Sequence, residues 1–150
     1  MSDLGDLYGE VILDHCKRPQ NFRALPDSTH RSAGANPLCG DNLLLFVKMD
    51  GDRIADIGFQ GNGCAISKAS ASIMTQQVKG RTRAEAEALF RQFHEMMTRP
   101  QGTPVDEEKM GKLAVFSGVA EFPVRVKCAT LAWHTLEAAL KGTGETVSTE

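Results

Sequence analysis

A β-hairpin in the first half of the chain is the feature that most constrains the fold. Residues 43–49 form an apolar, strand-like run, and residues 53–60 alternate in the manner of a half-buried strand. Between them stands Asp50-Gly51, a dipeptide typical of tight hairpin turns. Ahead of the hairpin, residues 18–36 are rich in Pro, Asn, Ser, Gly and Arg, which predicts an irregular connection.

Helices are predicted on both sides of this hairpin. The first has apolar residues at helical spacing, and the glycine-containing segment 61–63 separates the hairpin from the second. Thr82 and Glu85 form a capping box for the third helix, which Pro100 ends. The predicted helices cover residues 4–17, 64–79, 82–98, 106–118 and 123–141.

This order of elements indicates an α+β fold. Helices that follow a short run of strands are expected to cover one face of a small antiparallel, three-stranded sheet. At 150 residues the chain has the length of one ordinary domain. We predict a single domain over residues 1–141 and a flexible C-terminal tail over residues 142–150.

Composition limits the classes of function. The formal net charge is −2 and the pI about 6.1, which argues against nucleic-acid binding. The longest aliphatic or aromatic run, residues 43–47, is far too short to cross a membrane. The chain does not begin with a basic region followed by an apolar stretch, so we predict a cytoplasmic protein. Its four cysteines are then expected to be thiols rather than disulfides.

Three of the cysteines stand at positions that a structural core rarely uses. Cys39 lies in a turn, two residues ahead of Asp41. Cys64 begins a helix, whose N-terminus favours the thiolate form. Cys128 lies in the last helix. Three sulfurs and one carboxylate suit tetrahedral zinc, or iron in a cluster, so we predict that the four side chains share one metal site. The alternative for each cysteine is burial as a small apolar residue.

Other polar residues carry weaker signals. Cys16 lies on a polar flank of the first helix, and no chemical role is predicted for it. The four histidines lack ligand-like spacing and are interpreted as solvated or structural. Lys68 lies one turn after Cys64, and Arg125 lies about one turn before the last cysteine. Near several thiolates, either cation could offset negative charge or hold a sulfur intermediate.

Four sequence motifs surround the first helix and the candidate ligands. They are Leu7-Tyr8-x-x-Val11-Ile12-x-Asp14-His15-x-x-x-Pro19, Asn36-Pro37-x-Cys39-Gly40-Asp41, Gly61-x-Gly63-Cys64-x-Ile66-Ser67-x-Ala69-Ser70-Ala71-Ser72 and Phe122-Pro123-x-Arg125-x-Lys127-Cys128-Ala129-x-Leu131-x-Trp133. Together they resemble the U-type iron–sulfur assembly proteins over about residues 4–141. The resemblance is specific, because three separate cysteine motifs agree in order and spacing.

Two departures favour one branch of that family. The IscU-like scaffold branch has a histidine where this chain has Lys127, and the segment between Cys64 and Cys128 is long. Both features resemble the SUF branch, whose members are SufU-like. For that branch the resemblance implies a SufE/IscU-like fold and a pyridoxal-phosphate cysteine desulfurase of the SufS type as partner, with downstream iron–sulfur assembly proteins. The zinc ligands that it implies are Cys39, Asp41, Cys64 and Cys128.

These expectations combine into a hypothesis of sulfur transfer. Cys39, on a loop beside a displaceable carboxylate, would accept sulfane sulfur from the persulfide of the desulfurase. Arg125 would steady the charged intermediate. One alternative is a scaffold on which an iron–sulfur cluster is assembled and transferred to apo-proteins. Another is a purely structural zinc domain, which would normally use four cysteine or histidine ligands.

Overall fold

The computed structural model describes residues 3–100, 102–142 and 146–148, and it confirms the predicted α+β fold. The strands are β1 (His30–Asn36), β2 (Asp41–Asp50), β3 (Arg53–Asn62) and β4 (Thr146–Ser148). The helices are α1 (Asp3–Lys17), α2 (Ala65–Val78), α3 (Arg83–Thr98), α4 (Glu107–Met110), a 3₁₀ helix (Gly111–Glu121) and α5 (Pro123–Lys141).

The sheet has the order β3-β2-β1-β4. Its first three strands are antiparallel, as predicted, and the β2–β3 hairpin closes at the pair Asp50 and Arg53. β4 pairs with β1 in parallel. Of the tail predicted to be flexible, residues 146–148 therefore form a strand, while residues 143–145 and 149–150 lie outside the described part of the chain.

The prediction of an irregular connection over residues 18–36 is wrong for its last seven residues, which form β1. This strand lacks the β-branched and aromatic residues that usually signal one. Its buried face is made of Ser32, Gly34 and Asn36. A Cβ on Gly34 would collide with Thr135 Oγ1 on α5. The small side chains of β1 thus let α5 lie close to the sheet, and packing rather than propensity defines this strand.

The helix predicted over residues 106–118 forms in two parts. The side chain of Asp106 caps α4 by accepting a hydrogen bond from Lys109 N–H. Gly111 then adopts a φ of +55° and a ψ of −131°, a conformation that favours glycine and interrupts the α-helix. The chain continues as the 3₁₀ helix, so the predicted single α-helix is wrong beyond this glycine.

The helices pack on one face of the sheet around an aromatic cluster. The Trp133 ring of α5 stacks on Phe93 of α3, with ring centroids 5.0 Å apart, and Phe93 contacts the edge of Phe116. The apolar faces of α3 and α5 are buried apart from Leu89 and Val126, which are half-buried. The side of α5 that carries Trp133 is therefore anchored in this core. Among the described helices, none has both the length and the apolar composition that a bilayer crossing requires.

A buried polar contact fixes α1 to α2. His15 is 5% exposed, and its Nδ1 lies 2.7 Å from Ser72 Oγ. The same hydroxyl oxygen accepts a hydrogen bond from Gln20 N–H at 2.7 Å. Burial is the main cause that lowers the pKa of His15, followed by the nearby charge of Lys112, while Asp14 opposes the shift. His15 is therefore a structural histidine of the helical layer.

Candidate metal centre

Two candidate ligands lie at the turn between β1 and β2. Asn36 and Asp41 are paired across these strands, and the residues between them form the turn. Cys39 N–H donates to the carbonyl oxygen of Asn36 at 3.2 Å, and Gly40 has a φ of +70°, which favours glycine. Cys39 is half-buried, and the adjacent Leu38 is 66% exposed. The turn therefore carries Cys39 at the protein surface.

Cys64 occupies the N-cap position of α2, as the sequence predicts. Its Sγ accepts a hydrogen bond from Ser67 N–H at 3.5 Å. Its own N–H donates to Asp41 Oδ1 at 2.8 Å, and its Sγ lies 3.9 Å from Asp41 Oδ2. A Cβ on Gly63 would lie only 2.8 Å from Asp41 Oδ1, so glycine leaves room for the carboxylate. Asp41 thereby joins the start of β2 to the start of α2.

Cys128 lies deep in the protein, on the second turn of α5. It is 0% exposed, and its Sγ lies 3.3 Å from Cys39 Sγ. Asn36 Nδ2–H donates to Cys128 Sγ at 3.5 Å. Burial is the largest cause that raises the pKa of the Cys128 thiol, and the neighbouring Asp41 carboxylate and Cys39 thiol raise it further.

Sulfur and oxygen donors converge at this place. Among the described residues, the ligand atoms of Cys39, Asp41 and Cys128 all lie within 4.8 Å of one another. Cys64 lies outside that tight group, beside the carboxylate of Asp41. The donor set fits Zn²⁺, because this ion is bound tetrahedrally by thiolate, imidazole and carboxylate ligands. A cation among these groups would also oppose the effect of burial on Cys128, since it favours the thiolate.

Arg125 lies beside the candidate ligands, one turn before Cys128. Its side chain is exposed, and its hydrogen bond to Cys128 is the largest cause that raises its pKa. The charges of Cys64 and Cys39 raise the pKa of this guanidinium further. The charges of the three cysteines that the sequence singles out therefore act on this cation.

The other polar residues considered from the sequence lie elsewhere. Lys68 Nζ lies 4.8 Å from the ring centroid of Phe22, so its described contact is a cation–π interaction rather than a cysteine. Cys16 is half-buried on α1. His94 and His134 pack edge-on against the ring of Phe90. Within the described part of the chain, the group of donors contains no histidine.

Sequence reasoning assigned no role to two residues that shape this site. Asn36 contacts Cys128 through its side chain, and Gly63 leaves space for Asp41. A signal existed for the first, because Asn36 begins the motif that contains Cys39. However, Asn-Pro is typical of turns, and that explanation suffices without a role for the side chain. The close approach of Gly63 depends on tertiary structure alone.

Comparison with known protein families assigns the fold to one of them. The family described as the NifU-like N-terminal domain matches residues 7–129. The chain belongs to this family. The resemblance to U-type iron–sulfur assembly proteins, drawn from the cysteine motifs, is therefore confirmed.

Similar members of the NifU-like N-terminal domain family carry two different descriptions. The iron–sulfur cluster assembly scaffold protein IscU of Streptococcus pyogenes serotype M1 is 46% identical over 141 residues, which are 94% of this chain and 87% of that protein. The zinc-dependent sulfurtransferase SufU of Bacillus subtilis (strain 168) is 44% identical over 137 residues, which are 91% of this chain and 90% of that protein.

Solved structures of the NifU-like family confirm the fold. A crystal structure from Fervidobacterium islandicum, described as an iron–sulfur cluster assembly scaffold protein for the SUF system, superposes with a TM-score of 0.80 at 38% identity. The match covers 87% of this chain and 94% of that chain. A NifU-like N-terminal structure from Brucella abortus is 21% identical with a TM-score of 0.81, over 94% of this chain and 96% of that chain, and shows the shared fold.

Proposed function

We propose that this protein is a zinc-dependent sulfurtransferase of iron–sulfur cluster assembly, which accepts sulfane sulfur from a cysteine desulfurase. The observation that carries the proposal is a difference in burial between its candidate ligands. Cys39 lies on a surface turn, only 3.3 Å from the fully buried Cys128. A protein that must expose one thiolate while it retains the others needs ligands of this kind. The 44% identity to Bacillus subtilis SufU, described as a zinc-dependent sulfurtransferase, supports the same class of reaction.

Cys39 is the nucleophile of the proposed reaction. Its thiolate attacks the sulfane sulfur of a persulfide on the desulfurase, and the sulfur–sulfur bond of that persulfide breaks. The cysteine of the desulfurase leaves as a thiolate, and any proton on the sulfane sulfur stays with it. Cys39 then carries the persulfide, so sulfur is transferred without net oxidation or reduction.

Arg125 is proposed to steady this reaction. Its guanidinium is exposed, and the neighbouring Cys128 together with the charges of Cys64 and Cys39 raises its pKa. A persulfide is largely ionised at neutral pH, so a cation whose field reaches Cys39 would favour the persulfide there. Arginine keeps its charge at every physiological pH, which suits this task better than a titrating histidine.

Zinc is the metal proposed for the site. Cys39, Asp41, Cys64 and Cys128 would hold the ion. Bound Zn²⁺ would supply a positive charge that keeps these cysteines deprotonated at neutral pH. Asp41 would be the ligand that is displaced most easily, since its oxygen is a harder donor than a thiolate.

A scaffold for cluster assembly is the second candidate function. The Streptococcus pyogenes relative, 46% identical, is described as a scaffold, and cysteine thiolates also bind iron–sulfur clusters. Lys127 counts against it, because the IscU-like branch has a histidine there that is a plausible cluster ligand. Metal analysis of protein purified without oxygen distinguishes the two. Stoichiometric zinc with little iron or sulfide supports sulfur transfer, whereas stoichiometric iron and sulfide supports the scaffold.

The proposed partner is a pyridoxal-phosphate cysteine desulfurase of the SufS type. Such an enzyme supplies the persulfide that the reaction consumes. Downstream iron–sulfur assembly proteins would receive the sulfur. The reaction is assigned to the cytoplasm, where a reducing environment keeps free thiols available.

Replacement of Cys39 is the direct test of this function. Desulfurase turnover is measured with wild-type protein, with Cys39→Ala and with Cys16→Ala as a matched control. We expect wild type and Cys16→Ala to stimulate turnover equally and Cys39→Ala to give none. Stimulation by Cys39→Ala at the wild-type level would reject Cys39 as the acceptor.

Replacement of Asp41 tests the purely structural alternative. We expect Asp41→Ala to remain folded by circular dichroism but to lose sulfur acceptance. A folded Asp41→Ala protein that accepts sulfur at the wild-type rate would instead support a metal site with no part in the reaction.

A further inference from the structure

Asn36 touches three of the candidate ligand residues at once. Its backbone pairs with Asp41 across the two strands, and its carbonyl oxygen accepts the N–H of Cys39 at 3.2 Å. Its side-chain Nδ2–H donates to Cys128 Sγ at 3.5 Å. The two backbone contacts would survive any substitution that keeps the strand. The contact with Cys128 is the one that requires an asparagine.

The burial of this side chain indicates that the contact has a purpose. Asn36 is 0% exposed, and its Oδ1 has no hydrogen-bond partner among the described residues. An unpaired acceptor in the interior is costly, and a small apolar residue would avoid that cost. The amide is therefore poorly explained by packing alone, and its one described side-chain partner is the sulfur of Cys128.

The two facing cysteines differ in this respect. Cys128 Sγ receives the amide N–H of Asn36, whereas the described hydrogen bond to Cys39 Sγ comes from the thiol of Cys128. An N–H donor stabilises negative charge on sulfur and lowers its tendency to attack. It also fixes the direction of the sulfur relative to the turn, as supporting contacts do around metal ligands.

We infer that Asn36 is a positioning residue that holds Cys128 as the retained ligand, so that Cys39 is the cysteine that becomes free to accept sulfur. The inference deepens the proposed function and rests on the ligand set proposed there. It explains why two thiols only 3.3 Å apart take different roles. It also assigns a task to the buried side-chain amide of Asn36.

The test uses Asn36→Ser, whose side chain ends one atom short of the amide nitrogen and so withdraws the donor from Cys128 without adding charge. It also uses Asn36→Asp, which replaces the donor by an acceptor. Asn42→Asp is the control for the added charge. Asn42 is exposed on β2, so this substitution adds the same charge without removing a contact with Cys128. Folding of each variant is checked by circular dichroism. If Asn36→Asp does not fold, Asn36→Ser alone decides the question.

Cobalt replaces zinc in the first measurement, because its thiolate charge-transfer band reports on the sulfur ligands. We expect Asn36→Ser to shift this band to lower energy, since a thiolate that accepts one hydrogen bond fewer is more easily oxidised. We also expect it to release zinc to a chelator about 10–100-fold faster than wild type. Asn42→Asp should match wild type in both. A variant that merely loosened the fold would release metal without moving the band.

Alkylation is the second measurement, with zinc-loaded protein, limiting iodoacetamide and peptide mapping. Wild type is expected to react first at Cys39, with Cys128 protected, and Asn36→Ser is expected to react at both. Unchanged band energy and unchanged order of alkylation in Asn36→Ser would overturn the role of Asn36. A wild-type protein that binds cobalt without any thiolate band would instead overturn the proposed ligand set, and is recognised before any variant is compared.

Discussion

Cys39 and Cys128 face each other at 3.3 Å but belong to very different parts of the molecule. Cys39 lies on the β1–β2 turn, beside a leucine that is 66% exposed. Cys128 is 0% exposed on α5, whose Trp133 stacks into the aromatic core. One site thus combines a donor on an accessible surface turn with a donor enclosed in the packed core. Sulfur transfer needs both, because the acceptor must reach a partner while the rest of the site stays assembled.

The largest expected effect comes from replacing each of these two cysteines by serine in a separate variant. Cys128→Ser should lose zinc more completely than Cys39→Ser, because the buried sulfur is the fixed point of the ligand set. Loss of a ligand should exceed the roughly 10–100-fold weakening that follows loss of a supporting contact. Zinc affinity by chelator competition measures both variants. Equal losses, or a greater loss in Cys39→Ser, would remove the distinction between anchor and acceptor.

Gly63→Ala should produce the next largest effect. The added Cβ would lie 2.8 Å from Asp41 Oδ1 and displace the carboxylate from its hydrogen bond with Cys64 N–H. We expect zinc to bind about 10–100-fold more weakly, as measured by chelator competition. Gly118→Ala is the control, since a Cβ there meets no atom within 4 Å. Wild-type affinity in Gly63→Ala would show that Asp41 is not needed in its described position.

Gly34→Val tests the packing of α5, the helix that carries Cys128, against β1. Its side chain would collide with Thr135 on α5 and push the helix that carries Cys128 away from β1. We expect the free energy of unfolding to fall by about 1–3 kcal/mol in chemical denaturation. Gly9→Ala is a control of opposite sign, because that helical position has space, and alanine should add about 0.5–1 kcal/mol. A Gly34→Val protein of wild-type stability would contradict the close packing of α5 on β1.

The smallest expected effect is a pH dependence of the helical layer. Burial lowers the pKa of His15 below its ordinary value of 6.5, so the unfolded chain binds this proton first as the pH falls. The free energy of unfolding should therefore be fully retained above about pH 6.5 and decrease below it. Urea denaturation across pH 5–8 measures this slope.

His15→Gln should reduce that slope, whereas Cys39→Ser should keep it, because His15 lies against α2 rather than at the turn. His30→Gln serves as the control on β1. An identical slope in wild type and His15→Gln would show that another group controls the acid sensitivity of the helical layer.

Local signals explain which parts of this structure the sequence predicted. Asp50-Gly51 and the Thr82 capping box act over a few residues, and both elements form where they were expected. β1 was missed because its strand character comes from the approach of α5 to Gly34, which no local pattern encodes. The end of α4 at Gly111 depends likewise on a single backbone conformation.

In the candidate site, likewise, the sequence predicted the residues with local signals but not the contacts between distant segments. Cys39 and Cys64 were recognisable from a turn and a helix start, and the motif match joined them to Cys128. The contact of Asn36 with Cys128 spans 92 positions of the chain, and the contact of Asp41 with Cys64 spans 23. Such contacts between distant segments arise only once the sheet and helices have packed.

Mapping of the persulfide tests the central claim most directly. The zinc-loaded protein is incubated with a SufS-type desulfurase and L-cysteine, alkylated, digested and analysed by mass spectrometry. We expect the additional sulfur on the peptide that contains Cys39, with the Cys128 peptide unmodified. Sulfane sulfur on Cys128 or Cys64, with none on Cys39, would contradict the division between an anchored and a movable thiolate.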